Sequence, residues 1–284
     1  MDRPAIAVRG LRKSYGADEV LHGIDFEVQP GEVFGLLGPN GAGKTTAIEI
    51  LEGYRERSAG EVSVLGVDPG RPTRAWREQV GLVLQESQLE PLLTVRETLS
   101  LFATFYASPR SVDETIELVG LTDGRDRRVG TLSGGQRRRL DVAVGLIGDP
   151  HLLFLDEPTT GFDPSARRSA WNMIDGLRSL GTTIFLTTHY MEEAQYLADR
   201  VAILRDGEVA ALGRPDELGS RETVIRYRRP GTSEIVTLRT TDPQRTLYEL
   251  TSWAEREHVE LDGLEATRPT LENVFLELTG GGHE

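Results

Sequence analysis

The sequence contains no cysteine, which excludes a disulfide framework and any metal site built on thiolates. It also lacks an apolar run near the about 20 residues that a membrane-spanning helix needs, and its N-terminus lacks the pattern of a secretion signal. Positive charge is scarce, with 32 Lys and Arg against 45 Asp and Glu and a formal net charge of −13. This balance argues against a nucleic-acid-binding protein, although a local basic stripe stays open. We expect a cytoplasmic protein that reaches a membrane, if at all, through a partner.

The length and the order of patterns indicate two domains. The 284 residues, 38% hydrophobic and 27% charged, suffice for one large domain and one small one. Strand and helix patterns of α/β type fill residues 1–213, interrupted by a helical insert at about 86–148. A boundary is expected at Gly213-Arg-Pro215, and 214–284 then read as a small α+β domain. Its last segment, Pro269 to Gly280, has apolar residues at helical spacing and a glycine stop.

The most informative stretch follows a short apolar strand, Glu32 to Leu37, and precedes a helix. It matches the phosphate-loop pattern G-x-x-x-x-G-K-[ST] and consists of Gly38, Pro39, Asn40, Gly41, Ala42, Gly43, Lys44, Thr45 and Thr46. Glycines let the backbone approach a polyphosphate, and successive N–H groups bind anions at the helix N-terminus. Lys44 is expected to reach the β and γ phosphates and Thr45 to ligate Mg²⁺. A Rossmann loop is excluded because the glycine spacing differs.

Two other residues have open interpretations. Tyr15 lies in a predicted turn, Lys13 to Gly16, between the strands Ala5 to Val8 and Val20 to Val28. It is either a ring that stacks on adenine or a half-buried turn tyrosine. Gln85 follows the apolar run Val80 to Leu84 and either offers its amide to a metal or a water or is a surface polar residue.

Two carboxylates follow the apolar run His151 to Leu155, which is typical of a strand buried on both faces. Asp156 and Glu157 therefore lie at the carboxyl edge of the sheet, where open α/β sheets bind ligands. Adjacent carboxylates there are costly without a cation or hydrogen-bond donors. Mg²⁺ with a reacting water meets that need.

A second glycine-rich segment, Leu132-Ser-Gly-Gly-Gln136, precedes a helix. Ser133 is a good N-cap, and Gly134 and Gly135 leave N–H groups exposed, which predicts a second anion site. The three arginines that follow, Arg137 to Arg139, read mostly as a solvated helix face. His189 follows the apolar strand Thr182 to Thr188; a lone histidine there is usually structural.

The order of these motifs resembles that of ABC-type ATPases over roughly Ile6 to Gly213. The resemblance implies a P-loop NTPase of ABC type, with a mixed sheet core, an N-terminal antiparallel β part and a helical insert. It implies that ATP and Mg²⁺ are bound, the nucleotide by Tyr15, Gln85 and the phosphate loop. Thr45, Gln85 and Asp156 would serve the metal.

The resemblance also implies the catalytic roles. Glu157 would polarise the attacking water, and Lys44 and His189 would act on the γ-phosphate. The signature residues, which are Ser133, Gly134, Gly135 and Gln136, would face the ATP of the opposite subunit. Asp163 would lie in the loop that joins the two sites; this loop departs from many members of the family in having Phe162 in place of leucine. The active form would be a head-to-tail homodimer.

The expected function is the ATPase subunit of a membrane exporter for drugs, antibiotics, lipids or polysaccharides. The C-terminal tail resembles that of daunorubicin-resistance ATPase subunits. The partner would be a separate integral membrane permease of the type-two exporter kind, which holds the chain on the inner face of the cell membrane. A soluble ABC-type ATPase of cofactor assembly or repair is the alternative, whereas a GTPase or small-molecule kinase has only the phosphate loop in its favour. We expect Gln85 to Leu101 to dock the permease through Leu89, Leu92 and Leu93.

Overall fold

The computed structural model describes residues 3–84, 88–218, 223–229, 231–232 and 234–267. The chain divides into two compact units, one that ends at Leu212 and one that begins at Gly213. The described strands are β1 (Ile6–Tyr15), β2 (Asp18–Val28), β3 (Val33–Leu37), β4 (Ala59–Val64), β5 (Val80–Val83), β6 (Leu152–Asp156), β7 (Thr183–Thr188), β8 (Arg200–Arg205), β9 (Glu208–Gly213), β10 (Thr223–Arg228), β11 (Ile235–Thr240) and β12 (Glu265–Thr267).

The helices have between 4 and 15 residues and lie between or after these strands in the chain. They are α1 (Lys44–Leu51), α2 (Arg74–Arg77), α3 (Val95–Ala103), α4 (Val112–Leu118), α5 (Gly134–Leu146), α6 (Pro164–Gly176), α7 (Met191–Leu197), α8 (Pro215–Leu218) and α9 (Pro243–Glu257), with 3-10 turns at Thr122–Gly124, Val129–Thr131 and Leu177–Leu180. Within the described ranges, no helix has the length and apolar character that crossing a membrane requires.

The first unit begins with an antiparallel sheet in the order β2-β1-β4. The predicted turn from Lys13 to Gly16 is wrong, because β1 continues to Tyr15, which pairs with Asp18. Only Gly16 and Ala17 remain for the turn, and Gly16 has φ 65°. A two-residue hairpin favours such positive φ values, so the glycine lets both strands run longer than the apolar pattern indicates.

The central sheet has six strands in the order β5-β6-β7-β3-β8-β9. The strand pairs from β5 to β8 are parallel. The dipeptide Asp206-Gly207 predicts a hairpin, which the structure confirms between β8 and β9, with both residues at positive φ, 47° and 77°. Parallel pairing puts the carboxyl ends of β3, β6 and β7 at one edge of the sheet, and the phosphate loop, Asp156 and His189 all follow those ends.

The central sheet is covered on both faces, and every residue of its middle strands β3, β6 and β7 is buried. Phe34 of β3 faces the antiparallel sheet, where its ring stacks on Phe26 of β2 at 5.3 Å between centroids. On the opposite face, Leu153 and Leu186 pack with Leu140 of α5 in a second buried cluster. Alternation along each strand produces these two cores, since successive side chains point to opposite faces.

The predicted helical insert is present as α3, α4 and α5. Thr94 caps α3 in a capping box with Glu97. Apolar residues at helical spacing as far as Tyr106 predict a longer first helix, but α3 ends at Ala103. The N–H groups of Phe105 and Tyr106 bond to carbonyls three residues back, so the chain tightens into turns there.

The second unit contains a small antiparallel sheet, β11-β10-β12, and α9. The sequence of this unit predicts paired strands at Thr223 to Tyr227 and Glu234 to Arg239, and the pairing is confirmed, with Thr223 opposite Thr240. It also predicts a helix from Pro243 to Glu257, which is confirmed; Asp242 caps this helix, and Leu250 and Ala254 are buried. The helix predicted from Pro269 to Gly280 lies outside the described residues.

Candidate active site

The phosphate loop joins β3 to α1, and its glycines are required by close contacts. A Cβ on Gly38 would lie 2.5 Å from the carbonyl oxygen of Leu204. Gly43 has φ 101°, and a Cβ there would lie 2.8 Å from Leu21. The loop is therefore held between β8 and β2 in a conformation that larger residues cannot adopt, and its N–H groups lie at the start of α1.

Lys44 is buried at the first position of α1, and its ammonium group points back into the loop. Its Nζ donates to the carbonyl oxygens of Gly38 at 2.8 Å and Pro39 at 3.0 Å. Nζ also lies 3.6 Å from Glu157 Oε1. Burial lowers the pKa of Lys44, while the charge of Glu157 opposes that shift. The charge is thus held between the loop and the end of β6.

Asp156 is the last residue of β6 and is only 8% exposed. Its Oδ1 accepts a hydrogen bond from Thr187 Oγ1 at 2.5 Å. Burial raises the pKa of Asp156, and the bond from Thr187 acts against the shift. A partly desolvated carboxylate of this kind is a ready ligand for a cation.

Glu157 has an unusual backbone conformation, with φ 43°. Its N–H donates to the Thr187 carbonyl at 3.2 Å and to Thr187 Oγ1 at 3.0 Å. Its Oε2 accepts a hydrogen bond from Thr160 Oγ1 at 2.9 Å and lies 3.4 Å from His189 Nδ1. Positive φ is costly for a residue with a Cβ, and it persists where surrounding contacts enforce it. Here it turns the carboxylate toward both Lys44 and His189.

A cleft of about 610 Å³ opens over Lys44 and Glu157, whereas Asp156 is absent from its described lining. Eight of the predicted residues line it, namely Asn40, Gly41, Gly43, Lys44, Thr45, Thr46, Glu157 and His189. Val20 and Thr160 complete the described lining, and no sequence motif predicted either of them as a site residue. Thr160 follows Glu157 by three residues, so a search of the residues around the carboxylate pair would have found it.

Several predicted residues lie elsewhere. Tyr15 is 42% exposed and is absent from the described lining of the cleft. Cations lie over its ring, with Lys13 Nζ at 4.9 Å and the Arg55 guanidinium at 5.3 Å from the centroid. Gln85 falls outside the described residues. Gly38, Pro39 and Ala42 shape the loop without lining the cleft.

The signature residues form a site separate from this cleft. Ser133 and Gln136 form a capping box at the start of α5. Ser133, Gly135 and Gln136 line a hollow of about 320 Å³ next to Phe162. Asp163 caps α6 through bonds of 2.9 Å to the N–H groups of Ser165 and Ala166.

One of the three arginines after the signature is buried, contrary to the prediction of a solvated helix face. Arg137 is exposed, but Arg138 is only 8% exposed, so the solvated-face interpretation is wrong for it. Its guanidinium donates to the carbonyl oxygens of Leu84, Asp156 and Pro158 at 2.5, 3.0 and 3.0 Å. Arg138 therefore ties α5 to the ends of β5 and β6.

No group of three or more His, Asp or Glu within the described ranges could hold a metal ion. Such a cage is unnecessary for Mg²⁺, which usually takes one or two protein oxygens together with waters and substrate phosphates. The buried carboxylate of Asp156 and the hydroxyl of Thr45 would supply such oxygens.

Comparison with known proteins agrees with this geometry. A family model described as ABC transporter matches residues 21–160, and one described as ABC transporter domain-containing protein-like, C-terminal domain, matches residues 223–270. Nod factor export ATP-binding protein I of Rhizobium sp. (strain N33) is 42% identical, covering 99% of this chain and 98% of the relative. Daunorubicin resistance ATP-binding protein DrrA2 of Streptomyces coeruleorubidus is 37% identical, covering 99% and 96%.

Solved structures show the same fold. CbiO1 of Clostridium perfringens, part of the ABC transporter complex CbiONQ, is 28% identical at a TM-score of 0.69, covering 76% of this chain and 91% of that chain. With the full-length relatives, this places the chain in the ABC transporter family as one of its ATP-binding proteins. It has the P-loop fold of that family, binds nucleotide and is an ATPase.

Proposed function

We propose that this chain powers a membrane exporter by hydrolysing Mg-ATP. One observation supports the chemistry above all: a single cleft holds Lys44, Glu157 and His189, with Glu157 3.6 Å from the lysine and 3.4 Å from the histidine. Export is supported by the full-length relatives, whose names give Nod factor export, daunorubicin resistance and linearmycin resistance. The cargo class we propose is of that kind, a drug, antibiotic, lipid or polysaccharide.

The residues divide the chemistry as follows. Phosphoryl transfer needs positioning and neutralisation of charge. Lys44 would exchange its loop carbonyls for phosphate oxygens, and the N–H groups of the loop would hold the rest of the triphosphate. Asp156 and Thr45 would hold Mg²⁺, which neutralises phosphate charge. Gln85 would assist as a metal or water ligand, and Tyr15 would stack on the adenine.

Glu157 would orient and polarise the attacking water, since its carboxylate lies beside the lysine that marks the γ-phosphate. The hydrogen bond from Thr160 fixes one of its oxygens. His189 would bind the γ-phosphate from the side of the Glu157 carboxylate that is opposite to Lys44. A positioned general base contributes roughly 10²–10⁴-fold to a rate.

The signature residues would complete the site of a second copy. Helix α5 begins with Gly134 and Gly135, although glycine is about 1 kcal/mol less favourable than alanine within a helix. A Cβ on either would meet nothing within 4 Å, so the chain's own described packing does not require glycine there. A polyphosphate on another copy, approaching the helix N-terminus, would require it. We propose a head-to-tail homodimer with two ATP molecules between the copies.

The permease would dock near the end of β5. Leu92 is 70% exposed, and Leu84 and Leu101 are 50% and 47% exposed. The expectation for Leu89 is wrong, because Leu89 packs against the core of the helical insert. Leu93 is half-buried. Leu92 is therefore the residue that best fits a contact with an integral membrane permease, which would hold the chain on the inner face of the membrane.

The experiment compares purified wild-type and Lys44→Ala proteins in ATP hydrolysis. Loss of a preorganised charge typically costs 10²-fold or more in rate, so we expect a loss of about that size. The exposed Arg74→Ala variant is the control and should retain the wild-type rate. Wild-type hydrolysis by Lys44→Ala would refute the assignment of the site.

A further inference from the structure

Glu193 of α7 is a buried carboxylate that the proposed chemistry does not use. It is 0% exposed. Its Oε1 accepts hydrogen bonds from Thr159 Oγ1 at 2.8 Å and from Trp171 Nε1 at 3.0 Å. Burial raises its pKa, and hydrogen bonding by Thr188, Thr159 and Trp171 acts against that shift. Burying a carboxylate is costly unless hydrogen bonds compensate for the lost water, so the two donors are needed to keep Glu193 in this position.

The two donors come from two other segments of the active site. Thr159 lies between Glu157 and Asp163, and its neighbour Thr160 donates to the Glu157 carboxylate at 2.9 Å. Trp171 belongs to α6, which begins directly after Asp163. Glu193 itself lies in α7, four residues after His189. One oxygen atom thus joins the segment of the general base, the helix that follows Asp163 and the helix that follows His189.

A second contact joins the same helices. The guanidinium of Arg167 lies 3.9 Å from the centroid of the Tyr190 ring, a cation–π distance. The Tyr190 ring in turn lies 4.0 Å from the ring of His189. Arg167 and Trp171 are four residues apart and share one face of α6. That face therefore contacts the His189 segment at two points.

We propose that Glu193 is a positioning residue for hydrolysis, which keeps His189 and Glu157 in register with each other and with Asp163. This proposal rests on the proposed roles of Glu157 and His189. Because Asp163 starts the helix that holds Trp171, a displacement of Asp163 by a second copy would reach both catalytic groups through Glu193. A misplacement of about 1 Å at reacting groups can cost about 10²-fold in rate, so small movements of this cluster matter.

The test uses steady-state ATP hydrolysis by three variants. Glu193→Leu removes the acceptor, and we expect kcat to fall about 10- to 100-fold while KM for ATP changes less than about threefold. Glu193→Gln keeps a carbonyl oxygen that can accept from both donors, and should restore kcat to within about threefold of wild type. Glu192 is the exposed neighbour, and Glu192→Leu should leave both parameters unchanged.

A double-mutant cycle separates positioning from general loss of stability. Thr159→Val removes only the hydroxyl donor, so its loss in kcat should not multiply with that of Glu193→Leu if both act through the same bond. If Glu193→Leu fails to fold, Thr159→Val and Trp171→Phe test the same bonds singly. Multiplicative losses, or losses seen in KM alone, would overturn the proposal.

The catalytic variants distinguish this proposal from the proposed function. If Glu157→Gln and His189→Ala are inactive while Glu193→Leu and Thr159→Val both keep wild-type kcat, the positioning role is wrong and the site assignment stands. If Glu157→Gln and His189→Ala hydrolyse ATP normally, the site assignment fails, and the positioning role fails with it.

Discussion

At the scale of single residues, the active site depends on charges held in costly places. Lys44 and Asp156 are both buried. Burial lowers the pKa of Lys44 and raises the pKa of Asp156, which favours the neutral form of each side chain. Glu157 lies between them with a strained backbone. Strain and desolvation persist where the fold enforces them, and here both lie around the group that would activate water. Substitution of Glu157 therefore tests the chemistry most directly.

Glu157→Gln should bind ATP as well as wild type and hydrolyse it roughly 10²–10⁴-fold more slowly, because the amide cannot act as a base. Trapped ATP should also hold two copies together. Light scattering with Mg-ATP checks this by the mass of the particle, with ADP as the control nucleotide. A variant that stays monomeric with ATP bound would contradict the head-to-tail arrangement.

Glu52, at the end of α1, should make stability depend on pH. Its Oε1 is buried without a hydrogen-bond partner among the described residues. Burial, followed by the charges of Asp156 and Glu49, raises its pKa from 4.5 to about 8. Between those values the folded chain keeps a proton that the unfolded chain releases, so stability falls as pH rises through this window and levels off above it.

The variant Glu52→Gln should remove that dependence. Each pKa unit corresponds to about 1.4 kcal/mol, so the variant should gain on wild type by up to a few kcal/mol as pH rises from 5 to 8. Urea unfolding at several pH values in the nucleotide-free protein measures the gain. Glu56 is exposed, and Glu56→Gln is the control. An advantage that stays constant with pH would show that Glu52 does not titrate in this window.

Residue positions could be predicted from the sequence where a local pattern defines them. The phosphate-loop spacing places Lys44 and Thr45, and the apolar run before Asp156 places it at a strand end. Thr187 was missed because its contact with Asp156 depends on the pairing of β6 with β7, 31 residues away in the chain. Arg138 was missed because a run of three arginines does not show which one turns inward.

At the scale of elements, the sequence predicts the presence of a strand or helix better than the residue at which it ends. The apolar strands β3, β6 and β7 are buried on both faces, which makes them visible as apolar runs. The end of β1 was misplaced because cross-strand pairing with Asp18 extends it through polar residues. The end of α3 was misplaced because apolar residues continue at helical spacing into turns.

The segment between β5 and α3 should be the contact for the permease, and Leu92→Ser tests it. Removing an apolar side chain that is 70% exposed should change folding little. We expect wild-type ATP hydrolysis by the isolated subunit and loss of co-purification with its membrane permease. Tyr54 is 80% exposed, and Tyr54→Ser is the control. An intact complex with Leu92→Ser would exclude Leu92 from the contact.

At the scale of the whole molecule, the separation of the two glycine-rich segments is the main constraint. Lys44 and the signature residues line different hollows of one chain. A single copy therefore has a phosphate cleft at one site and, at a separate site, a helix N-terminus that contacts no phosphate of its own chain. A symmetric pair of copies satisfies both, because each supplies what the other lacks.

Mixing two inactive variants tests whether each site is shared between copies. Lys44→Ala disables the phosphate loop of its own chain. Gly135→Asp puts a negative charge at the start of α5, where an added Cβ has open space within the chain and should not disturb folding. Each variant alone should be inactive, the second because its carboxylate repels the γ-phosphate of the opposite copy.

In a mixed dimer, the intact phosphate loop of the Gly135→Asp chain meets the intact signature of the Lys44→Ala chain. Half of the dimers in an equal mixture are mixed and have one intact site of two, so about a quarter of the wild-type rate should return if the sites act independently. Wild-type chain replaces Gly135→Asp in the control mixture, which should show about half of the wild-type rate, a quarter from wild-type homodimers and a quarter from mixed dimers. If mixing Lys44→Ala with Gly135→Asp restores no activity while mixed dimers form, the two segments do not complete each other's sites.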